Sequence, residues 1–84
     1  MRNKREIYAS KLPNRARLIY FYLCDRADRE GRSFPSLKRI GKDLNISVST
    51  VRRGLADLEQ AGYIIKKERH RENGVMSSNL YTIT

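Results

Sequence analysis

The chain has 84 residues, with 18 Lys and Arg against 9 Asp and Glu, a formal charge of +9 and a pI near 10.2. That length makes one small domain, burying only about 60–65% of its unfolded surface, and that charge implies a polyanionic partner. No apolar run approaches the ~20 residues of a membrane span, no segment reads as a signal peptide, and the single Cys24 excludes a disulfide framework and a CxxC metal site.

Residues 1–11 form a basic lead-in arm: Arg2, Lys4, Arg5 and Lys11 against Glu6, with Ile7 and Tyr8 its only sizeable apolar groups. Residues 1–5 read as a frayed terminus rather than as an arm that touches phosphates. The first helix begins near Pro13, which suits a first helical position because the amide it lacks would be unpaired there. Leu12, Ala16, Ile19, Tyr20, Leu23 and Ala27 fall on one face at helical spacing and form a core stripe. Cys24 fills a place on this helix as a small apolar group. Phe21 lies almost opposite the stripe and Leu18 well to one side. Two accounts stay open for this pair: the arm or the C-terminal strand covers them, or they make a homodimer contact.

The helix ends around Asp28 to Gly31, with Gly31 able to take the left-handed cap. Asp25, Asp28 and Glu30 alternate there with Arg26, Arg29 and Arg32, a locally balanced surface. Arg32-Ser33-Phe34 reads as a short strand, and Pro35 forbids helix just before it. Ser36 is a good N-cap for a second helix that keeps Leu37, Ile40 and Leu44 inward. Gly41 suits a close approach to the next helix. In the turn Asn45-Ile46-Ser47, Asn45 tolerates a left-handed conformation, Ile46 plugs the core and Ser47 caps the following helix. That helix runs from Val48 to about Ala61, stops at Gly62, and buries Val51, Leu55 and Leu58.

At about 100° per residue, Ser49 and Arg53 point nearly opposite Val51, with Thr50 and Arg52 beside them. Tyr63-Ile64-Ile65 then opens a strand, and Leu80-Tyr81-Thr82-Ile83-Thr84 is its return. Asn73-Gly74 between them is a strong two-residue hairpin signal, because it supplies positive φ at both central positions. Such a turn pairs Ile64 with Ile83 and Lys66 with Tyr81; a longer loop is the alternative. The arms carry Lys66, Lys67, Arg69, His70 and Arg71 against Glu68 and Glu72. His70 has no companions in a metal-binding spacing and reads as a neutral hairpin residue.

This order of elements predicts an α+β, mainly α domain over residues 12–84: a winged helix-turn-helix, three helices with a C-terminal β-hairpin wing. The pattern places one helix in a DNA major groove and the hairpin beside it. Arg52 or Arg53 can read guanine O6 and N7 with two hydrogen bonds, while Ser49 and Thr50 contact phosphates or base edges. Ser36, Lys38 and Ser47 join the expected contacts from the helix-turn-helix. Lys66, Arg69, Arg71 and Asn73 join them from the wing, which can reach phosphates or a narrow minor groove. There is no catalytic constellation, Gly-rich phosphate loop or nucleophile elbow. The expectation is a protein that is not an enzyme, with double-stranded DNA as partner and no cofactor, metal, small-molecule ligand or membrane.

Several runs carry a family resemblance: Phe34-Pro35-Ser36, Ile40-Gly41, Leu44-Asn45-Ile46-Ser47, Ser49-Thr50-Val51-Arg52-Arg53, Leu58 to Ile64, and Asn79-Leu80-Tyr81. Over about residues 12–84 they resemble the small bacterial and phage winged helix-turn-helix domains, including GntR-type and MarR-type regulators and the DNA-binding domains of plasmid and phage replication initiators. The run through Arg53 is fairly specific for the superfamily and weak for any one member. The resemblance implies that the helix after Ser47 is the recognition helix, with Ser49, Thr50, Arg52 and Arg53 on DNA. Gly54 departs from the pattern, standing where such helices often carry a branched apolar residue, and is expected to loosen the packing. With no effector domain after Thr84 in the pattern, a ligand-sensing regulator is not expected. The reading is a cytoplasmic, nucleoid-associated, sequence-specific DNA-binding protein: a bacterial, phage or mobile-element transcriptional regulator. A replication initiator is the first alternative and a basic protein-interaction module the second.

Overall fold

The computed structural model describes Ile7, residues 10–67 and residues 79–84. Three helices, α1 (Asn14–Arg26), α2 (Leu37–Leu44) and α3 (Val48–Gln60), combine with three short strands, β1 (Arg32–Ser33), β2 (Ile64–Lys67) and β3 (Leu80–Ile83). The strands form one antiparallel sheet in the order β1-β3-β2. This is a winged helix-turn-helix, mainly helical. The β2–β3 register pairs Ile64 with Ile83 and Lys66 with Tyr81, as a two-residue turn at Asn73-Gly74 requires; the turn itself lies outside the described residues. The strand expected at residues 32–34 is the third member of the sheet: Arg32 pairs with Thr82 and Ser33 with Tyr81.

The core draws on all three helices and on β2 and β3. Ala16, Ile19, Tyr20, Tyr22 and Leu23 come from α1, Ile40 from α2, Val51, Leu55 and Leu58 from α3, and Ile64, Tyr81 and Ile83 from the sheet. Ile7 is also fully buried. Its carbonyl accepts the Ser10 hydroxyl at 2.6 Å and the Arg17 Nε at 3.2 Å, which ties the lead-in to α1. Phe21 is half-buried against the core, edge-on to Tyr20 at 6.0 Å between ring centroids, whereas Leu18 is 43% exposed.

Four positions differ from the sequence pattern. Pro13 is the N-cap of α1, with extended ψ, rather than its first helical residue. The helix stops at Arg26, because Ala27 turns extended. Gly31 is left-handed at φ 77°, but in the turn that leads into β1. The Asp28 carboxylate accepts the amides of Glu30 and Arg32 in that turn, and the Arg32 amide holds the Asp28 pKa below its ordinary value. Gly54 is a close-packing position, not a loosened one. It is buried where α3 crosses α1, and a Cβ there would fall on Ile19 Cδ1 and lie 3.2 Å from the Arg15 carbonyl oxygen. Omitting the side chain lets the two helix backbones approach.

Candidate nucleic-acid interface

The angle between α2 and α3 is fixed by backbone hydrogen bonds at the turn. Asn45 is left-handed at φ 56° and ψ 46°. That conformation lets the Ile46 amide reach the Gly41 carbonyl at 2.9 Å and the Asn45 amide reach Lys42 at 3.4 Å, satisfying carbonyls that a helix end otherwise leaves unpaired. Gly41 is needed here because a Cβ would lie 2.8 Å from the Ile46 carbonyl oxygen, a closer encounter than the 3.7 Å to Val51 Cγ2 of α3. Ser36 and Ser47 cap α2 and α3: their hydroxyls accept the amides of Arg39 at 3.0 Å and Thr50 at 3.1 Å. At the other end of α3, Gly62 is left-handed, and the amides of Gly62 and Tyr63 bond to Glu59 and Leu58.

α3 therefore leaves the turn with one face fixed inward. Val51, Gly54, Leu55 and Leu58 are buried. Val48, Ser49, Arg52, Arg53, Ala56, Glu59 and Gln60 are exposed. The structure thus brings Ser49, Arg52 and Arg53 together on the outward side of the first turns. Thr50 is half-buried, and its hydroxyl lies 2.8 Å from that of Ser47. Those two hydroxyls are engaged with the cap, so any contact they make outside adds to that role. Lys38 is exposed in the first turn of α2. Ala56 and Gln60 extend the line of Ser49 and Arg53. Reading the helix as displaying only its N-terminal half missed them, though the same angular count finds them.

The wing meets α3 across a groove lined by Leu37, Arg52, Leu55, Ala56, Glu59, Lys66, Asn79 and Tyr81. Lys66 alternates onto the same side of the sheet as Ile64, and its side chain is exposed at the groove. It shares this groove with Arg52, along with the Glu59 carboxylate. Tyr81, bonded by Asn79 at 3.4 Å, forms part of the floor; burial raises its pKa. Arg69, Arg71 and Asn73 lie outside the described residues.

The arginines of α1, α2 and β1 are engaged, whereas Arg29, in the turn after α1, makes no ion pair with a described residue. Arg15 Nε binds Asp57 at 2.9 Å. Arg17 holds the carbonyls of Ile7 and Ser10, and Arg32 pairs with Asp28 and Glu30. One carboxylate oxygen, Asp43 Oδ2, accepts from the Tyr22 hydroxyl at 2.6 Å, Arg26 Nη2 at 2.9 Å and Arg39 Nε at 3.0 Å. The Tyr22 hydrogen bond, assisted by the two guanidinium groups, holds the Asp43 pKa below the usual carboxylate range. Burial and the same bond raise that of Tyr22. Arg26 also stacks over the Tyr22 ring at 5.2 Å. This clamp joins α1 to α2. By contrast, Arg52, Arg53, Lys38 and Lys66 make no ion pair with any described residue.

No group of three His, Cys, Asp or Glu side chains among the described residues could hold a metal ion, and no described helix is long and apolar enough to cross a membrane. None of the curated proteins matches the sequence significantly. A family model described as a helix-turn-helix domain matches residues 10–64 of the 84, from just before α1 through the turn and α3 to the first residue of β2. The chain belongs to this helix-turn-helix domain family, and with it to a fold that binds DNA.

Proposed function

We propose that the chain recognises a specific duplex DNA sequence and acts as a transcriptional regulator in a bacterial, phage or mobile-element cytoplasm. The observation that carries this reading is the division of the arginines. Those of α1 and α2 are held by carboxylates or carbonyls, while Arg52 and Arg53, on the outward face of α3, pair with no described residue. A guanidinium can bond guanine O6 and N7 together or clamp a phosphate. Ser49 then positions the helix. Lys38, and Lys66 with Arg69, Arg71 and Asn73 from the wing, add phosphate contacts on either side. In the finer form of this proposal two chains bind as a two-fold dimer through Leu18 and the exposed part of Phe21. Sedimentation as a monomer, both free and at 1:1 on its site, overturns that form.

The test is a fluorescence-anisotropy titration of duplex DNA across salt. Neutralising ~5–7 phosphates gives a log–log slope of about −4.5 to −6. A slope near zero between about 50 and 200 mM salt overturns the phosphate contacts.

A further inference from the structure

Leu18, Phe34, Val48 and Ile65 are the large apolar side chains left exposed among the described residues. Only Val48, at 37% exposure, lies on α3. Its place in the fold does not require it. The first position of a helix needs no β-branched residue, and valine is a weaker helix former than alanine or the long polar side chains. It is not among the buried residues of α3, which are Val51, Gly54, Leu55 and Leu58, and the part of it left uncovered faces out. Val48 instead sits between Ser47 and Ser49 at the exposed tip of the helix, one turn before Arg52.

We infer that Val48 is a specificity-determining residue, reading the C5 methyl group of a thymine in the major groove. The inference rests on the DNA reading above. The major-groove edges of the four bases carry hydrogen-bonding groups and one apolar group, the thymine methyl. An exposed valine among hydroxyls and guanidinium groups offers nothing to the first kind and complements the second. Helical spacing sets the position. Residues four apart lie on one line of the helix surface, and at about 1.5 Å per residue Val48 and Arg52 are separated by about 6 Å along the axis. Successive bases on one strand rise about 3.4 Å. With α3 along the groove, the thymine lies within about two base pairs of the guanine that Arg52 contacts.

The experiment first selects the best site from random duplexes with the full chain. Each thymine of that site is then replaced in turn by deoxyuridine, which removes only the methyl group. Contact with one buried methyl is worth about fourfold in affinity. The unmodified protein should lose about fourfold at one thymine and little at the others. Val48→Ala should weaken binding to the thymine duplex, and its thymine-to-uracil ratio at that position should approach one. A site with no thymine sensitive to the exchange overturns the assignment, as does a Val48→Ala protein that keeps the discrimination. A chain that selects no site at all overturns the DNA reading itself, and the two failures are distinguishable.

Discussion

Replacing Gly54 by alanine adds one methyl group at the tightest point of the α1–α3 crossing. Two effects oppose each other. Alanine is favoured over glycine in a helix interior by about 0.8–1.0 kcal/mol. The new methyl, however, falls on Ile19 Cδ1 and lies 3.2 Å from the Arg15 carbonyl oxygen. Ile19 is fully buried, so its Cδ1 cannot move aside without displacing other core side chains. Overpacking of this kind costs about 1–3 kcal/mol, which outweighs the helix preference and leaves a net loss of about 1 kcal/mol. For a domain of this size that is a fall in Tm of roughly 4–8 °C. A second substitution isolates the cause. Ile19→Val alone should cost about 0.5–1.5 kcal/mol, but it removes the atom that collides. Adding Gly54→Ala to it should therefore be neutral or stabilising, giving a favourable coupling of about 1–2 kcal/mol between the two sites. Urea and thermal unfolding followed by far-UV circular dichroism measure all four proteins. A Gly54→Ala protein that melts several degrees higher than the unmodified chain would refute the close crossing.

Acid unfolding tests the clamp between α1 and α2. The Asp43 pKa is depressed in the fold, so its contribution is present above the ordinary carboxylate value of about 3.9 and is lost as pH falls through the folded value. Asp43→Asn should lower stability at neutral pH and make its further decline between about pH 5 and 2 shallower; a decline as steep as that of the unmodified chain contradicts this. Losing a bidentate guanine contact costs about 1–3 kcal/mol and relaxes preference at one position. Arg52→Ala or Arg53→Ala should do this in binding to a panel of single-base variants of the site. If each weakens all variants equally, both arginines are phosphate contacts.

Much of the helix-turn-helix was legible because its signals are local. Ser36 and Ser47 cap the helices that follow them, and Asn45 takes the left-handed position that ends α2. Each residue type answers a requirement of the adjacent backbone. The β2–β3 register was legible because pairing by turn length also matched apolar with apolar side chains. What escaped depends on residues far apart in the chain. The requirement for glycine at position 54 comes from Ile19 and Arg15 on another helix, which a helix pattern alone cannot show. Tyr22 lies off the α1 stripe yet is buried, because its hydroxyl finds Asp43 across the α1–α2 contact. The early end of α1 reflects the Asp28 turn, whose hydrogen bonds compete with another turn of helix. In the candidate site, outward angles on α3 were readable from Val51. The separation of engaged from open arginines was legible only in part: Arg32 and Arg39 have a carboxylate four residues away, but Arg15 and Arg26 find theirs on another helix.

The central claim is that the outward face of α3 distinguishes one duplex sequence from another. Its most direct measurement is the ratio of dissociation constants for the selected site and for a scrambled duplex of equal length and composition, at one fixed salt concentration. Both duplexes present the same phosphates, so the electrostatic contribution common to all DNA cancels. Specific binders favour their sites by about 10³-fold or more, and the account predicts a ratio in that range that falls when Arg52 and Arg53 are both replaced by alanine. A ratio near one would contradict it, leaving a basic domain that holds DNA by charge alone.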